Sequence, residues 1–316
     1  MHLLLTGGAG FIGSHFSRKL LDEGHEVDCL DNFNTYYDPA LKRENVQPFL
    51  DHPRYRLIEG DIVDWPAVER LFAERSYDSV VHLAARAGVR PSIREPLLYE
   101  QVNVLGTMHI LEAARQHGVG RIVSASSSSV YGSNSKVPFS ESDPVDHPIS
   151  PYAATKKAGE LMAFTWHHLY GLSISCMRFF TVYGPRQRPD MAIHKFARLI
   201  CSGQPVPVFG AGRSRRDYTY IDDIIAGLYA ALLRCEGYHI YNLGESNTIE
   251  LLELIHLLEE GLGRKAVLEF HPDQPGDVPI TYADISLARR ELDYRPSTPI
   301  ERGIGLFAEW YKSRHK

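Results

Sequence analysis

The sequence predicts an α/β protein built on a doubly wound parallel sheet, with a smaller lobe at its C-terminal end. Short apolar runs alternate with helical stretches through the first half of the chain, and a glycine-rich turn directly follows the first apolar run. After about residue 180 the composition changes, and Gly, Pro and Arg accumulate. Alternation of this kind is typical of a parallel sheet covered by helices on both faces.

The apolar runs predict strands, and the stretches between them predict helices. The strands are expected near residues 2–6, 26–31, 55–60, 78–83, 120–126 and 173–179, and the helices near residues 11–24, 64–75, 98–117 and 151–170. In such a sheet the ligands bind beyond the carboxyl ends of the strands. The residues that follow the strands are therefore the candidates for function.

The second half of the chain has a different pattern. Segments rich in Gly, Pro and Arg (183–189 and 209–216) alternate with helical stretches near residues 191–202, 222–236 and 248–262. This pattern predicts a smaller substrate-binding lobe over residues 181–316. We expect it to be woven back into a first domain over residues 1–180, since no linker separates the two.

Glycines at regular spacing form the turn after the first strand. Gly7 lets the chain turn sharply, Gly10 lets the backbone approach phosphate oxygens, and Gly13 lets the next helix pack close to the sheet. The N–H groups at the start of that helix then face phosphate charge. The turn predicts a dinucleotide pyrophosphate site, and the alternative is an ordinary strand–helix turn.

An acidic residue, Asp31, ends the second strand. A carboxylate at this place accepts a hydrogen bond from an unphosphorylated adenosine ribose. It also repels a 2′-phosphate, and no Arg follows it directly. The first domain is therefore predicted to be a Rossmann domain that binds NAD rather than NADP. The alternative is a solvent-facing Asp.

Composition and charge exclude several classes of protein. The 44 % hydrophobic and 23 % charged residues are typical of a soluble globular chain, and a net charge of −5 predicts neither nucleic acid nor membrane as a partner. No stretch approaches the roughly 20 apolar residues that span a bilayer. The four cysteines are dispersed, no histidine spacing resembles a zinc site, and the first strand begins at the initiator Met. We expect reduced thiols, no bound metal and a cytoplasmic location.

Tyr152 and Lys156 lie one helical turn apart, on one face of a predicted helix. A phenol of pKa about 10 is a poor base at neutral pH. A nearby ammonium favours the phenolate, which can then remove a proton from a hydroxyl while hydride leaves the same carbon. The alternative is a solvent-exposed helical pair.

A serine run, Ser126–Ser129, follows the fifth predicted strand and continues into Val130, Tyr131 and Gly132. Hydroxyl groups at the carboxyl end of a strand can hydrogen-bond a reacting oxygen. Ser127 and Ser128 are therefore predicted to join Tyr152 and Lys156 in a catalytic site. The alternative is a flexible polar loop.

With these motifs together, nearly the whole chain resembles the nucleotide-sugar epimerases of the extended short-chain dehydrogenase/reductase family. The resemblance implies that Asp61 and Ile62 meet the adenine, that Leu83, Ala84 and Ala85 line the nicotinamide ribose, and that Asn103 holds the central helix and cofactor region. The implied cofactor set is completed by residues of the glycine turn and its surroundings, namely Gly7, Gly10, Phe11, Ile12, Gly13, Asp31, Asn32, Tyr152 and Lys156.

Departures from neighbouring subfamilies narrow the implied reaction. Nucleotide-sugar 4,6-dehydratases carry an Asp-Glu pair where this chain has Ser128 and Ser129, and UDP-glucuronate decarboxylases carry Glu in place of Ser129. UDP-glucose 4-epimerases usually have Asn where this chain has Thr181. Elimination and decarboxylation are therefore disfavoured.

The segment around Thr181, continued by Arg188–Ala192, resembles the UDP-glucuronate 4-epimerases, as do segments 34–43, 87–90 and 274–278. A sugar with a C6 carboxylate needs a hydroxyl and a cation near C5, which Thr181 and Arg188 supply. An exposed loop charge is the alternative for Arg188. Arg186 and Gln187 replace the family's usual Trp-Gly.

The resemblance also implies a site for the nucleotide end of the substrate. Arg216 is the family's pyrophosphate arginine, and Val208 belongs to the segment that packs against uracil. Gln274 stands where glucose epimerases carry Arg, and Asp277 completes the implied substrate set with Ser127, Thr181 and Arg188. A solvated basic loop is the alternative for the arginines at 213–216.

The resemblance therefore implies an NAD-dependent isomerase that interconverts UDP-glucuronate and UDP-galacturonate through a 4-keto sugar. A UDP-glucose or UDP-N-acetylglucosamine 4-epimerase is the nearest alternative, and a non-catalytic NAD(H)-sensing protein is a remote one. The long helices near 98–117 and 151–170 are expected to form the dimer interface that is usual in this family.

Overall fold

A parallel sheet of seven strands forms the centre of the molecule. The computed structural model describes residues 1–272 and 279–314. The strands of this sheet are β1 (His2–Thr6), β2 (Glu26–Asp31), β3 (Tyr55–Glu59), β4 (Ser79–His82), β5 (Arg121–Ser127), β6 (Ser173–Phe179) and β11 (Tyr238–Leu243). Their spatial order is β11-β6-β5-β4-β1-β2-β3.

The strand order reverses at β1, which pairs with β2 on one side and with β4 on the other. Leu3, for example, lies opposite Val27 of β2 and Ser79 of β4. The connections leave β1 in opposite directions, so a crevice opens at the carboxyl ends of these strands. This crevice is where a ligand of such a sheet binds.

Helices cover both faces of the sheet, as predicted. Their bounds are α1 (Phe11–Asp22), α2 (Pro39–Val46), α3 (Trp65–Glu74), α4 (Val89–Arg94), α5 (Pro96–Glu100), α6 (Gly106–Gln116), α7 (Pro151–Tyr170), α8 (Ala192–Ser202), α9 (Ile221–Leu233), α10 (Leu251–Leu262), α11 (Ser286–Leu292) and α12 (Ile300–Arg314). Helices α1 and α9 contact each other on one face, and α6 contacts α3 and α7 on the other.

Successive side chains of β1 lie in different cores. Leu3 and Leu5 belong to the core that includes Phe16 of α1, whereas Leu4 belongs to the core that includes Leu71 of α3. All three leucines are fully buried. This explains the uninterrupted apolar run, because a parallel strand covered on both faces needs apolar residues at every position.

The six predicted strands are confirmed, but the single helix expected near 98–117 is wrong in detail. Between α5 and α6 the chain forms a π-helical turn over Gln101–Leu105. A π turn widens the helix by one residue, and such turns occur frequently at functional sites. Here it carries Asn103. The seventh strand, β11, comes from the C-terminal half and was not predicted.

The C-terminal part adds three two-stranded sheets. Strand β7 (Thr181–Tyr183) pairs with β10 (Tyr218–Tyr220), β8 (Pro205–Phe209) pairs with β13 (Val267–His271), and β9 (Arg215–Arg216) pairs with β12 (Ile249–Glu250). Only one residue separates β6 from β7. Thr181 is therefore placed just beyond the carboxyl end of a central strand.

Three further properties bear on the classes of protein considered above. No helix within the described ranges is long and apolar enough to cross a membrane. All four cysteines are free thiols, and three of them are buried. Over residues 1–272 and 279–314, no group of three or more His, Cys, Asp or Glu side chains is arranged to hold a metal ion.

Candidate active site

A cavity of about 470 Å³ opens at the carboxyl edge of the central sheet. Most of the site residues predicted from the sequence line it: Gly7, Gly10, Phe11, Ile12, Gly13, Asp31, Asn32, Asp61, Ile62, Leu83, Ala84, Ala85, Ser127, Ser128, Tyr152, Lys156, Thr181 and Arg188. They come from eight separate stretches of sequence, so the fold brings the predicted cofactor residues and the predicted catalytic residues to one place.

The glycine turn is too crowded for side chains. Gly7 has a φ of +71°, and a Cβ there would lie 2.7 Å from the Ala84 nitrogen. A Cβ on Gly13 would collide with the Gly7 carbonyl oxygen. Gly10 is the N-cap of α1 and makes no side-chain capping hydrogen bond. The turn therefore packs against the loop after β4 and presents the start of α1 without a side-chain cap, which fits a pyrophosphate.

Asp31 is buried at the end of β2, so the solvent-facing alternative is wrong. Its carboxylate accepts hydrogen bonds from the main-chain N–H groups of Ala9 (3.2 Å) and Phe33 (2.9 Å). The Lys42 Nζ lies 3.8 Å from Asp31 Oδ1. Asp31 therefore ties the glycine turn to its own loop and is partly neutralised by a lysine that sequence reasoning did not assign.

Asn32 and Asp61, both predicted to bind the cofactor, meet across the end of the sheet. The Asn32 side-chain amide donates to Asp61 Oδ2 at 2.7 Å. Ile62 lies beside Asp61 and is buried. A polar edge and an apolar surface suit the rim and the face of a purine ring.

Helix α7 holds the Tyr152–Lys156 pair at the carboxyl end of β5. Ser150 caps the helix, because its Oγ accepts from the Ala153 N–H at 3.1 Å. The Lys156 Nζ donates to the Ala125 carbonyl oxygen at 2.8 Å, which fixes the lysine against β5. The pair lines the cavity. The solvent-exposed alternative for this pair is therefore wrong.

A buried ion pair between Glu160 and Arg178 joins the same helix to β6. Glu160, one turn beyond Lys156, makes two 2.8 Å bonds with the Arg178 guanidinium of β6. The Ser126 Oγ also donates to Glu160 at 2.7 Å. All four serines from Ser126 to Ser129 line the cavity, but the Ser126 hydroxyl is bound to Glu160.

The electrostatics of Tyr152 differ from the sequence-based interpretation. Burial raises the pKa of the phenol, while the Ser127 hydroxyl and the Arg188 guanidinium lower it. Burial also lowers the pKa of the Lys156 ammonium to about 8. Burial outweighs Ser127 and Arg188, so the pKa of Tyr152 lies above its ordinary value. Lys156 makes its hydrogen bond to β5.

Asn103 lies behind the cavity wall. Its Oδ1 accepts from the Arg86 N–H at 2.8 Å, and its Nδ2 donates to the Arg86 carbonyl oxygen at 2.9 Å. The same Nδ2 donates to the Thr155 Oγ1 at 3.0 Å. Asn103 therefore ties the loop after β4 to α7, which agrees with the supporting position that the resemblance implies.

Arg188 and Thr181 both line the cavity. The Arg188 side chain is 22 % exposed and lines the cavity, so it is not an exposed loop charge. The guanidinium makes two 2.9 Å bonds with Asp190, through Nε and Nη2. Burial opposes its charge, but Asp190 outweighs burial and raises the pKa of Arg188. The site thus keeps a permanent cation beside Tyr152.

Of the residues predicted for the nucleotide end of the substrate, the two that the structure describes, Val208 and Arg216, do not line this cavity. Val208 is fully buried in the core, so a contact from it has to come from the main chain. Arg216 lies on β9 and donates to the Arg215 carbonyl oxygen at 2.9 Å. Gln274 and Asp277 lie outside the described residues. These four assignments stay predictions.

The cavity also includes side chains without a predicted role, namely Tyr36, Tyr37, Lys42, Arg86 and Asp190. Four of them fall within segments that resemble UDP-glucuronate 4-epimerases, and that was the only sequence signal for them. Arg86 carried no signal at all. Together these residues surround the space between the glycine turn and Arg188.

The fold and the cavity define a dinucleotide-dependent enzyme of the short-chain dehydrogenase/reductase type. A family model described as GDP-mannose 4,6 dehydratase matches residues 4–306. The chain belongs to this family, within the extended short-chain dehydrogenases/reductases. Ser128 and Ser129 stand where the resemblance described above implies the acid pair of the dehydratases.

Two relatives of this chain are UDP-glucuronate 4-epimerases. The chain is 44 % identical to a UDP-glucuronate 4-epimerase of Thermodesulfobacterium geofontis, over 98 % of this chain and 96 % of that protein. It is also 44 % identical to UDP-glucuronate 4-epimerase 4 of Arabidopsis thaliana, over 98 % of this chain and 75 % of that protein.

The solved structure of a further epimerase is also similar to this chain. The UDP-glucuronic acid 4-epimerase of Bacillus cereus, in complex with UDP-glucuronic acid and NAD, is 35 % identical and superposes with a TM-score of 0.93. The match covers 99 % of this chain and 100 % of the other. The predicted α/β fold and family are therefore confirmed.

Proposed function

We propose that this protein is an NAD-dependent UDP-sugar 4-epimerase that interconverts UDP-glucuronate and UDP-galacturonate. One observation supports this most strongly. Thr181 and the permanently charged Arg188 line the same cavity as Tyr152, Lys156 and Ser127. A hydroxyl and a cation beside a proton-transfer group suit a sugar that carries a carboxylate next to the reacting carbon.

The described residues fit NAD. The glycine turn accepts a pyrophosphate, Asp31 accepts from a ribose hydroxyl, Asn32 and Asp61 border the adenine, and Leu83–Ala85 line the nicotinamide ribose. NAD, when bound, takes hydride from C4 of the sugar and returns it to the opposite face. Retention of the cofactor between turnovers is expected, since it is regenerated in each cycle.

Tyr152 moves the proton in this proposal. Its phenolate removes the proton of the C4 hydroxyl and later returns it, while Ser127 hydrogen-bonds the same oxygen. Ser127 and Arg188 both lower the pKa of Tyr152, so the residues proposed to bind the substrate also favour the phenolate. Ser128 completes the hydroxyl-lined wall of the cavity.

Thr181, Arg188 and Ser127 have a second role in this proposal. The 4-keto sugar derived from UDP-glucuronate is a β-keto acid, which loses carbon dioxide when its C5–carboxylate bond stands perpendicular to the carbonyl plane. Holding the carboxylate away from that geometry preserves the acid. The serine pair at 128–129 also provides no carboxylic acid for elimination.

The test of this function is direct. Purified protein incubated with UDP-glucuronate is expected to yield UDP-galacturonate, resolved by NMR, without added reductant. UDP-glucose and UDP-N-acetylglucosamine serve as comparisons, because the UDP-glucose 4-epimerase of Thermotoga maritima has a similar fold at a TM-score of 0.93. A preference for either neutral sugar would favour the alternative epimerase. NAD binding without any product would favour a sensing protein.

The uridine end, the division into lobes and the location belong to the same proposal. Arg216, the main chain at Val208, Gln274 and Asp277 hold the UDP, and the 4-keto sugar turns about its bonds to the pyrophosphate. Residues 1–180 form the NAD domain and residues 181–316 the substrate lobe, although β11 returns to the first. The four free thiols suit the cytoplasm.

A homodimer is also proposed. Helix α7 exposes Leu161, Phe164 and Leu169, and the neighbouring helical stretch near 98–117 exposes Leu105 and Met108. Apolar side chains grouped on adjacent helices suit a second copy of the chain, with two helices from each copy. Light scattering of the purified protein gives its mass and decides between monomer and dimer.

Asp31→Ala is expected to weaken NAD binding and to relax discrimination against NADP. The substitution removes a ribose acceptor and a charge that repels a 2′-phosphate, and it leaves Lys42 without its carboxylate. Calorimetry on cofactor-free protein measures both affinities. Asp31→Asn is the matched control, since it removes the charge but keeps an acceptor for Ala9. An unchanged NAD/NADP ratio in both variants would show that Asp31 does not read the ribose.

A further inference from the structure

Arg86 is a half-buried cation within the cavity for which neither the sequence motifs nor the proposed function supplies a role. It lies in the loop between β4 and α4. Its Nη1 donates to the Asn34 Oδ1 at 3.3 Å, and its guanidinium lies 5.3 Å from the centre of the Tyr36 ring. Both neighbours are uncharged, so these contacts leave the positive charge of Arg86 unneutralised.

The main chain of Arg86 is fixed by two hydrogen bonds to the side chain of Asn103. Asn103 bonds both its N–H and its carbonyl oxygen, at 2.8 and 2.9 Å. The π turn that carries Asn103 therefore fixes one residue of the cavity loop on both sides. Such a clamp is expected where a side chain has to be presented in a set direction.

The loop that carries Arg86 packs against the glycine turn. The main chain of Ala84, two residues earlier, lies so close to Gly7 that a Cβ there would be 2.7 Å from its nitrogen. In the other direction, Arg86 contacts Asn34, three residues beyond Asp31. The loop that carries Arg86 thus packs on the turn predicted to face the phosphates, and the Arg86 side chain contacts the loop that follows Asp31.

A second cation meets the same loop. The Lys42 Nζ donates to the Asn34 carbonyl oxygen at 3.3 Å and lies 3.8 Å from the Asp31 carboxylate. Lys42 therefore has an anionic neighbour in the protein, whereas the Arg86 guanidinium, among the described residues, contacts an amide and an aromatic ring. A guanidinium in this state matches the two charged oxygens of a pyrophosphate in geometry and in sign.

We propose that Arg86 binds the pyrophosphate of the dinucleotide, with Asn103 and Asn34 as its positioning residues. The inference rests on the proposed use of NAD. Arg86 adds a charge-assisted contact from the loop after β4 to the N–H groups at the start of α1. Two segments far apart in the sequence would then share the same phosphates.

Arg86→Gln tests this inference on the full-length protein after nucleotide has been removed. Calorimetry with ADP and with NAD is expected to show affinity lower by about 10- to 100-fold, the range for loss of a hydrogen bond to a charged group. Adenosine, which lacks phosphate, is expected to lose less than about twofold, because its contacts lie with Asp31 and Asp61. Arg86→Lys is expected to restore part of the ADP affinity, and added salt to weaken ADP binding less in Arg86→Gln than in wild type.

Arg94→Gln is the matched control, since it removes the same charge from an exposed position in the next helix. The melting temperature without nucleotide shows whether either variant is misfolded. Equal losses for ADP and adenosine would overturn the proposal and assign Arg86 to loop packing. Unchanged ADP affinity, or a loss seen with UDP alone, would also overturn it. Wild-type protein that binds neither NAD nor ADP would instead contradict the proposed cofactor, and the inference with it.

Discussion

Tyr152→Phe is expected to lower the turnover of UDP-glucuronate by at least about a hundredfold, the usual scale for a positioned proton-transfer group. The substitution removes only the phenolic oxygen. Packing is expected to survive, because the ring keeps its edge-on contact with Tyr99 at 6.2 Å between centroids. The two measurements are the initial rate on UDP-glucuronate and the NAD content of the purified variant.

The control for this variant is Tyr170→Phe at the far end of the same helix. Tyr170 is exposed, so loss of its hydroxyl is expected to leave turnover within about twofold. Near-normal turnover of Tyr152→Phe would remove the phenol from the reaction. A large loss accompanied by loss of NAD would instead assign Tyr152 to the shape of the cofactor site.

Local pattern was sufficient for most of the fold. Leu3–Leu5 and the other apolar runs report burial on both faces of a parallel strand, and the glycine spacing reports a turn with no room for Cβ atoms. The break in the helix near residue 101 had no such signal, because a π turn depends on tertiary contacts. Strand β11 was missed since its place beside β6 depends on pairing across some sixty residues.

The site was predictable only where chemistry and sequence spacing coincide. Tyr152 and Lys156 are a helical turn apart, so their pairing can be read directly. Lys42 reaches the cavity from α2, and Arg86 and Asp190 reach it from two separate loops. Their contacts with Asp31, Asn34 and Arg188 depend on the folded backbone. The sequence therefore indicated the reacting groups better than the charges around them.

Arg188 is already paired with the Asp190 carboxylate before a substrate binds. Asp190 uses Nε and Nη2 of the guanidinium, and Tyr36 Oη donates to Asp190 at 3.4 Å. The sugar carboxylate therefore approaches an existing ion pair, not an isolated cation. Removing Arg188 also leaves Asp190 as an unpaired negative charge near the substrate, so the variants have to separate the two effects.

Arg188→Ala is expected to raise the KM for UDP-glucuronate, with a loss of about 1.5–3 kcal/mol if one hydrogen bond between charged groups is removed. Any trace activity on UDP-glucose is expected to fall less, because that sugar has no carboxylate and loses only the effect of Arg188 on the pKa of Tyr152. Initial rates on both sugars give the comparison. The double variant Arg188→Ala with Asp190→Asn is expected to recover part of the loss, since it removes the repulsion from Asp190.

Thr181→Ala distinguishes orientation of the carboxylate from its binding. We expect this variant to release more UDP-pentose, visible by NMR of the reaction mixture, because the carboxylate of the 4-keto sugar becomes free to turn. Arg188→Ala with equal losses on both sugars would assign Arg188 to the loop or to the pyrophosphate. In that case a wild-type preference for UDP-glucose would make the neutral-sugar epimerase the better description, since the carboxylate would have no residue to recognise it.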